Sequence, residues 1–139
     1  MNVLVDTSVW SLSLRRSRGD LSVVERSLVA ELTELIAEGR ACLMGIVRQE
    51  ILSGIRNPAQ FEILKALLRT FPDVLIDTVE YEAAALASNQ CRKRGVNVTV
   101  VDALICATAA ARGWAIFTAD ADFEHHARIL PIQLHVPRM

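Results

Sequence analysis

The sequence has few cysteines and no long apolar run. Its three cysteines, Cys42, Cys91 and Cys106, form no Cys-x-x-Cys pair, which argues against a disulfide framework and against a zinc site. No apolar run approaches the roughly 20 residues that a membrane-spanning helix needs. The first residues also lack the basic segment and apolar stretch of a signal peptide. We therefore expect a cytoplasmic protein that makes no use of a membrane.

The sequence also has no excess of charge of either sign. Its 15 Lys and Arg residues and 16 Asp and Glu residues give a formal net charge of −1 at pH 7. Proteins that depend on many phosphate contacts are often basic, so this balance argues weakly against extensive duplex binding. It leaves room for a small site in which metal ions meet phosphate. A length of 139 residues and a hydrophobic content of 52% predict one globular domain over residues 1–139.

Short apolar segments alternate with longer amphipathic segments along the chain. Residues 2–5, the segment ACLM, residues 73–76 and the segment WAIFT are predicted strands, and IQLHV is a candidate edge strand. The segments between them have the spacing of amphipathic helices. Strands that alternate with helices predict an α/β fold, with a parallel sheet of four to five strands covered on both faces.

Acidic residues fall where the predicted strands end. Asp6 ends the first strand, Asp120 follows the fourth, and Asp122 comes two residues later. If the strand order is 3-2-1-4, Asp6 and Asp120 meet in the crevice beyond the carboxyl ends of the strands. Asp102, in the first turn of the preceding helix, can lean in beside them. Glu50, on the short helix after the second strand, could close the ring.

Acids in such a ring cannot all stay ionised unless a cation binds among them or several of them take up protons. Two carboxylates about 4 Å apart repel by roughly 4 kcal/mol at an effective dielectric constant of 20. Oxygen ligands without His or Cys indicate a hard ion, Mg²⁺ or Mn²⁺, in preference to zinc. Because Mg²⁺ binds through a few carboxylates together with substrate phosphate, an open acidic pocket suits phosphodiester hydrolysis.

Each acid also has a purely structural explanation. Asp102 stands three residues after Thr99, and the pattern T-x-x-D is a helix capping box. Glu50 on an exposed helix face would be an ordinary solvated residue. Asp120 and Asp122 could be turn aspartates, and Asp122 is the weaker candidate for a metal ligand.

Three hydroxyl side chains accompany the acids: Thr7, Ser8 and Thr118. Each could cap a helix or orient a carboxylate by a hydrogen bond. We expect both roles for Ser8 and the orienting role for Thr118.

Four segments, taken together, resemble the PIN-domain ribonucleases. VLVDTSVW, VRQEILSGIR, VVDALICATAAARG and IFTADADF look like the acidic motifs of that family, in its order and spacing. The resemblance is greatest to the VapC toxins of bacterial toxin–antitoxin pairs, and it extends from Val3 to about Ala127. It implies a three-layer α/β/α sandwich and a magnesium-dependent endoribonuclease, with Mn²⁺ as a substitute, that leaves a 5′-phosphate and a 3′-hydroxyl.

The resemblance also implies roles for individual residues and partners. By motif, Asp6, Glu50, Asp102 and Asp120 would be the metal-binding acids, with Asp122 as a further candidate. Asp6 and Asp102 are expected to contact the metal directly. The family further implies an RNA substrate, a homodimer, and inhibition by a small cognate antitoxin that covers or enters the acidic pocket.

Basic and histidine residues near these motifs are less informative. Arg15 and Arg16 in the early loop, and Arg92 and Arg94 at a helix end, could bind RNA phosphates. They could equally form a solvated face and a helix end that complements the helix dipole. The adjacent pair His125–His126 cannot easily direct both rings at one metal, so we expect both at the surface.

Two other interpretations remain open. A phosphatase of the haloacid type needs D-x-D after the first strand, but Ser8 stands at the second position. A receiver domain needs an aspartate at the end of the third strand, for which Asp77 would have to serve, and a late lysine, but none follows Lys93. A non-catalytic PIN-like RNA-binding domain is the second alternative, and the four intact acids count against it.

Overall fold

The computed structural model describes residues 1–138, apart from the side chain of Arg18; Met139, the last residue of the predicted domain, lies outside this range. Residues 1–138 form a five-stranded, all-parallel sheet with the order β3-β2-β1-β4-β5. This order contains the arrangement 3-2-1-4 on which the meeting of Asp6 and Asp120 depends, and the candidate edge strand is confirmed as β5. The strands are β1 (Val3–Val5), β2 (Ala41–Met44), β3 (Asp73–Val74), β4 (Ala115–Phe117) and β5 (Gln133–Leu134).

Helices connect the strands, as the amphipathic segments predict. Their bounds are α1 (Thr7–Leu14), α2 (Val23–Ala37), α3 (Gly45–Ser53), α4 (Pro58–Leu68), α5 (Thr78–Lys93), α6 (Val100–Arg112) and α7 (Asp122–Ala127), with a 3₁₀ turn at Arg18–Asp20. α1 packs against α2 and α3, and α5 packs along α6. Within residues 1–138, every helix is too short or too polar to cross a membrane.

The two central strands are buried on both faces. Val3, Leu4 and Val5 of β1 have no exposed surface, and the three residues of β4 are also buried. Because successive side chains of a strand point to opposite faces, this burial requires helices on both sides of the sheet. The predicted three-layer α/β/α sandwich is confirmed.

Helix ends at the carboxyl edge of the sheet position the acids. Asp6 is the N-cap of α1, so the prediction that Thr7 or Ser8 caps this helix is wrong. Thr99 caps α6, and Ala103 through Ala109 of that helix are all buried. Since α6 is anchored by its core face, its first turn has a fixed place beside the ends of β1 and β4.

Candidate metal centre

The parallel pairing of β1 with β4 brings the first and fourth motifs together. Val5 is in register with Phe117, and the Asp6 amide donates a 2.9 Å hydrogen bond to the Phe117 carbonyl. Asp6 therefore lies directly beside the chain that leads through Thr118 to Asp120. The convergence expected from the sequence is present.

Asp6 is buried, and one of its carboxylate oxygens is held by the protein. Its Oδ2 accepts hydrogen bonds from Ser8 Oγ at 2.7 Å, from Thr118 Oγ1 at 2.9 Å and, more weakly, from the Ser8 amide at 3.4 Å. Among residues 1–138, no hydrogen bond uses Oδ1 of Asp6. One oxygen thus fixes the rotamer and the other stays available for a ligand.

The same two hydroxyls fix the loop that carries Asp120. The Ala119 amide donates to Ser8 Oγ at 2.9 Å, and the Asp120 amide donates to Thr118 Oγ1 at 3.0 Å. Asp120 is exposed, and its Oδ1 accepts a 2.9 Å bond from the amide of Asp122. Ser8 and Thr118 thus both donate to the Asp6 carboxylate, which is the contact that an orienting hydroxyl makes, and Asp120 also serves as a turn aspartate.

Glu50 is exposed on α3 but is not simply solvated. Thr7, the first residue of α1, donates a 2.6 Å hydrogen bond from its hydroxyl to Oε1 of Glu50. Thr7, which directly follows Asp6, thereby holds Glu50 at the same edge of the sheet as Asp6.

Asp102 responds to the charge of the other three acids. Burial, followed by the charges of Asp6, Asp120 and Glu50, raises the pKa of Asp102 to about 7, against a partial opposing effect of Thr99. Thr99 accepts a 3.1 Å bond from the Asp102 amide, but the return bond of a capping box is formed only in α2 and α5 within residues 1–138. The Asp102 carboxylate is therefore not committed to capping.

The acids approach one another without forming a closed cage. Within the described residues, no group of three or more His, Cys, Asp or Glu side chains is arranged to hold a metal ion. This open arrangement agrees with the repulsion among ionised carboxylates. An all-carboxylate donor set fits a hard divalent cation that retains some of its waters.

The surface position that we expected for the histidine pair is wrong for His126. His125 is exposed, but His126 is 1% exposed, and its Nε2 lies 3.7 Å from Oδ2 of Asp102. The spacing from the buried Phe123 was the available signal, because residues three apart share a helix face.

The arginines of the two basic clusters are exposed. Arg16 forms an ion pair with Glu25, whereas Arg15 has no carboxylate partner among residues 1–138. The Arg15 side chain lies against Gly54: a Cβ atom added to Gly54 would be 2.9 Å from Nη2 of Arg15. Gly54 follows Glu50 by four residues, or about 6 Å of helix axis. Arg92 and Arg94 lie at the end of α5, shortly before α6 begins.

Residues 3–129 match the PIN domain family. The chain belongs to the PIN-domain family. It is also 33% identical over 134 residues to ribonuclease VapC11 of Mycobacterium tuberculosis, a match that covers 94% of this chain and 96% of that protein. This PIN domain is thus a member of the VapC ribonucleases.

Solved structures share the fold of this PIN domain. FitAcB from Neisseria gonorrhoeae superposes with a TM-score of 0.75 at 22% identity, over 97% of both chains. VapBC2 from Rickettsia felis, bound to a DNA fragment from its promoter, gives a TM-score of 0.72 at 17% identity, over 97% of this chain and 98% of that one. A member of the VapBC family of toxin–antitoxin systems from M. tuberculosis gives 0.65 at 15% identity, over 98% and 100%.

Proposed function

We propose that this PIN domain is an endoribonuclease that uses Mg²⁺, or Mn²⁺ in its place, held by Asp6, Glu50, Asp102 and Asp120. The observation that carries the proposal is the set of hydrogen bonds that holds Asp6, Glu50 and the loop of Asp120 at one edge of the sheet. Burial and the charges of these three acids raise the pKa of Asp102 to about 7. Such a concentration of negative charge favours a divalent cation. The name ribonuclease, given to the M. tuberculosis relative, supports RNA as the substrate.

The protein's own contribution is to fix the orientation of the acidic side chains. Ser8 and Thr118 keep one oxygen of Asp6 occupied, and Thr7 does the same for one oxygen of Glu50. Each acid then has its second oxygen for the ion. A bound Mg²⁺ would lower the pKa of an attacking water and neutralise the charge that develops on the phosphate. Asp122 is exposed and adds charge nearby as a candidate fifth acid.

The proposal is tested by cleavage of a labelled RNA. EDTA should stop the reaction, excess Mg²⁺ should restore it, and Asp102→Asn should abolish it, while Glu34→Gln, a change to an exposed acid of α2, should not. A substrate with a single 2′-deoxy substitution at the scissile position should still be cut. Failure on that substrate would indicate attack by the 2′-hydroxyl.

The competing interpretations make different predictions. Asp77, the residue a receiver domain would phosphorylate, caps α5 and accepts a 2.8 Å bond from the Glu80 amide. Acyl-phosphate labelling of Asp77 should therefore fail. A non-catalytic RNA-binding domain would retain RNA on a filter without producing new ends, in EDTA and in Mg²⁺ alike.

We also propose that a small antitoxin protein inhibits this PIN domain by covering the acidic edge. The support is that similar folds come from structures described as toxin–antitoxin systems. Co-expression with the product of a small open reading frame immediately upstream should yield a complex that no longer cleaves RNA. Cleavage that persists in such a complex would contradict the proposal.

A homodimer is the third part of the proposal, and an apolar face supports it. A hollow of about 590 Å³ opens beside Leu75, Tyr81 and Val100, which are 83%, 56% and 79% exposed. Val100 begins the helix that carries Asp102, so a second copy would lie beside the acids. Sedimentation should give twice 15.3 kDa, and Val100→Glu should give the monomer. Ile63→Glu, at an exposed apolar position of α4, is the control.

A further inference from the structure

His126 is a buried polar side chain whose hydrogen-bonding groups are unused. Its side chain is 2% exposed and its Nε2 faces Oδ2 of Asp102 at 3.7 Å, a distance too long for a hydrogen bond. Within residues 1–138, neither Nδ1 nor Nε2 has a hydrogen-bond partner. A buried unsatisfied polar group costs about 1 to 3 kcal/mol, so its presence here requires an explanation.

Packing fixes the ring in this position. His126 and the fully buried Phe123 lie on one face of α7, with ring centroids 5.3 Å apart and planes inclined at 68°. An imidazole carries at least one ring N–H in either protonation state, so the buried ring can donate a hydrogen bond.

We propose that His126 is a positioning residue that donates a hydrogen bond from Nε2 to Oδ2 of Asp102 when Asp102 binds a divalent metal ion. This inference rests on the proposed function. Closing the 3.7 Å gap to an ordinary bond length requires a shift of less than about 1 Å. Hydrogen bonds of catalytic sites are often long in the free protein and tighten in the complex.

The proposal gives Asp102 the same support that Asp6 already has. Ser8 and Thr118 hold Oδ2 of Asp6 and leave Oδ1 for a ligand. His126 would hold Oδ2 of Asp102 and leave its Oδ1. Donors of this kind fix the orientation of a metal-binding carboxylate, and their removal weakens metal affinity or activity by about 10- to 100-fold.

The test uses the isosteres His126→Gln and His126→Asn in the full chain. A glutamine amide reaches the position of Nε2, whereas an asparagine amide reaches that of Nδ1. We expect His126→Gln to bind Mn²⁺ within about threefold of the wild type, and His126→Asn about 10-fold or more weakly, by titration calorimetry. His125→Gln, at the exposed neighbour, is the matched control and should change nothing.

Two further readouts separate positioning from folding and from the proposed function. Both variants should have similar melting temperatures in EDTA, and His126→Asn should lower kcat with little change in KM. Equal Mn²⁺ affinity of the Asn and Gln variants would overturn the inference while leaving the nuclease proposal intact. A wild type that neither binds Mn²⁺ nor cleaves RNA would overturn both.

Discussion

The hydroxyl of Thr7 donates a 2.6 Å hydrogen bond to Oε1 of Glu50, although the two residues are 43 positions apart. Thr7 begins α1 at the end of β1, and Glu50 lies within α3 after β2. The bond therefore joins two motifs that neighbouring parallel strands bring to one edge. It also restricts the rotamers of Glu50, which is exposed.

Replacing Thr7 with valine should reduce catalysis without unfolding the protein. Valine keeps the shape of threonine but cannot donate, so Glu50 would sample other rotamers. We expect kcat to fall about 10-fold with little change in KM, because a carboxylate-orienting bond is lost. Thr7→Ser retains the donor and should keep most of the activity. A fluorogenic RNA assay measures both, and full activity of Thr7→Val would contradict the assigned role.

Replacing Asp102 with asparagine should stabilise the metal-free protein. The pKa of Asp102 is raised to about 7, so its ionised form opposes folding at pH 8. One unit of pKa difference corresponds to about 1.4 kcal/mol, and we expect the free energy of unfolding to rise by about 1 to 4 kcal/mol in EDTA. Urea unfolding at pH 8 measures this change. A large loss of stability would mean that Asp102 acts mainly as part of the α6 cap.

The same ionisation predicts a pH dependence for the wild type in EDTA. The folded protein keeps the Asp102 proton up to about pH 7, whereas the unfolded chain releases it above its ordinary value of 3.8. The folded state binds more protons between these values, so this contribution to stability falls as pH rises from about 4 to 7. The stability difference between Asp102→Asn and wild type should grow across that window and level off above it. A difference that is constant with pH would exclude the raised pKa.

The acidic edge could be predicted from sequence because strand-end positions are local signals. Asp6 and Asp120 each follow a short apolar run, and parallel pairing of those runs fixes where both acids lie. The position of Asp102 followed from the helix start at Thr99. In each case the backbone geometry alone determines which end of the sheet the residue occupies.

His126 could not be placed in the same way, because its environment depends on tertiary packing. Its sequence context is polar, and only its spacing from Phe123 indicates a buried face. The N-cap of α1 was missed for a related reason. Asp6 serves as a helix cap and as an acid of the site at once, and the pattern D-T-S offers three chemically suitable caps.

Glu31 should stabilise the attachment of the C-terminal segment that contains His135 and Arg138. It is 3% exposed and accepts bonds from His135 Nε2 at 2.5 Å and Arg138 Nε at 2.7 Å. Burial acts to raise the pKa of Glu31, but these two partners outweigh it and lower the pKa. Glu31→Gln should therefore reduce the free energy of unfolding at pH 7 by about 2 kcal/mol, since a buried pair loses its charge.

The control for Glu31 is Glu34→Gln, at an exposed position of the same helix, which should change stability by less than about 0.5 kcal/mol. Because the pKa of Glu31 is lowered, its contribution is present above the unfolded pKa and is lost as pH falls. The melting temperatures of Glu31→Gln and Glu34→Gln should therefore approach each other as pH falls. If Glu31→Gln and Glu34→Gln were equally stable at pH 7, packing alone would hold the segment that contains His135 and Arg138.

Arg15 should contribute to RNA binding and not to chemistry. Its guanidinium lies against Gly54, about one helical turn from Glu50, and it has no carboxylate partner among residues 1–138. Arg15→Gln should raise KM several-fold with little change in kcat. It should also reduce the slope of log affinity against log salt by about 0.7, the value for one phosphate contact on a single strand. The control is Arg69→Gln, at the exposed end of α4 just before β3. If both substitutions changed the salt slope equally, the effect would come from charge alone and not from the position of Arg15.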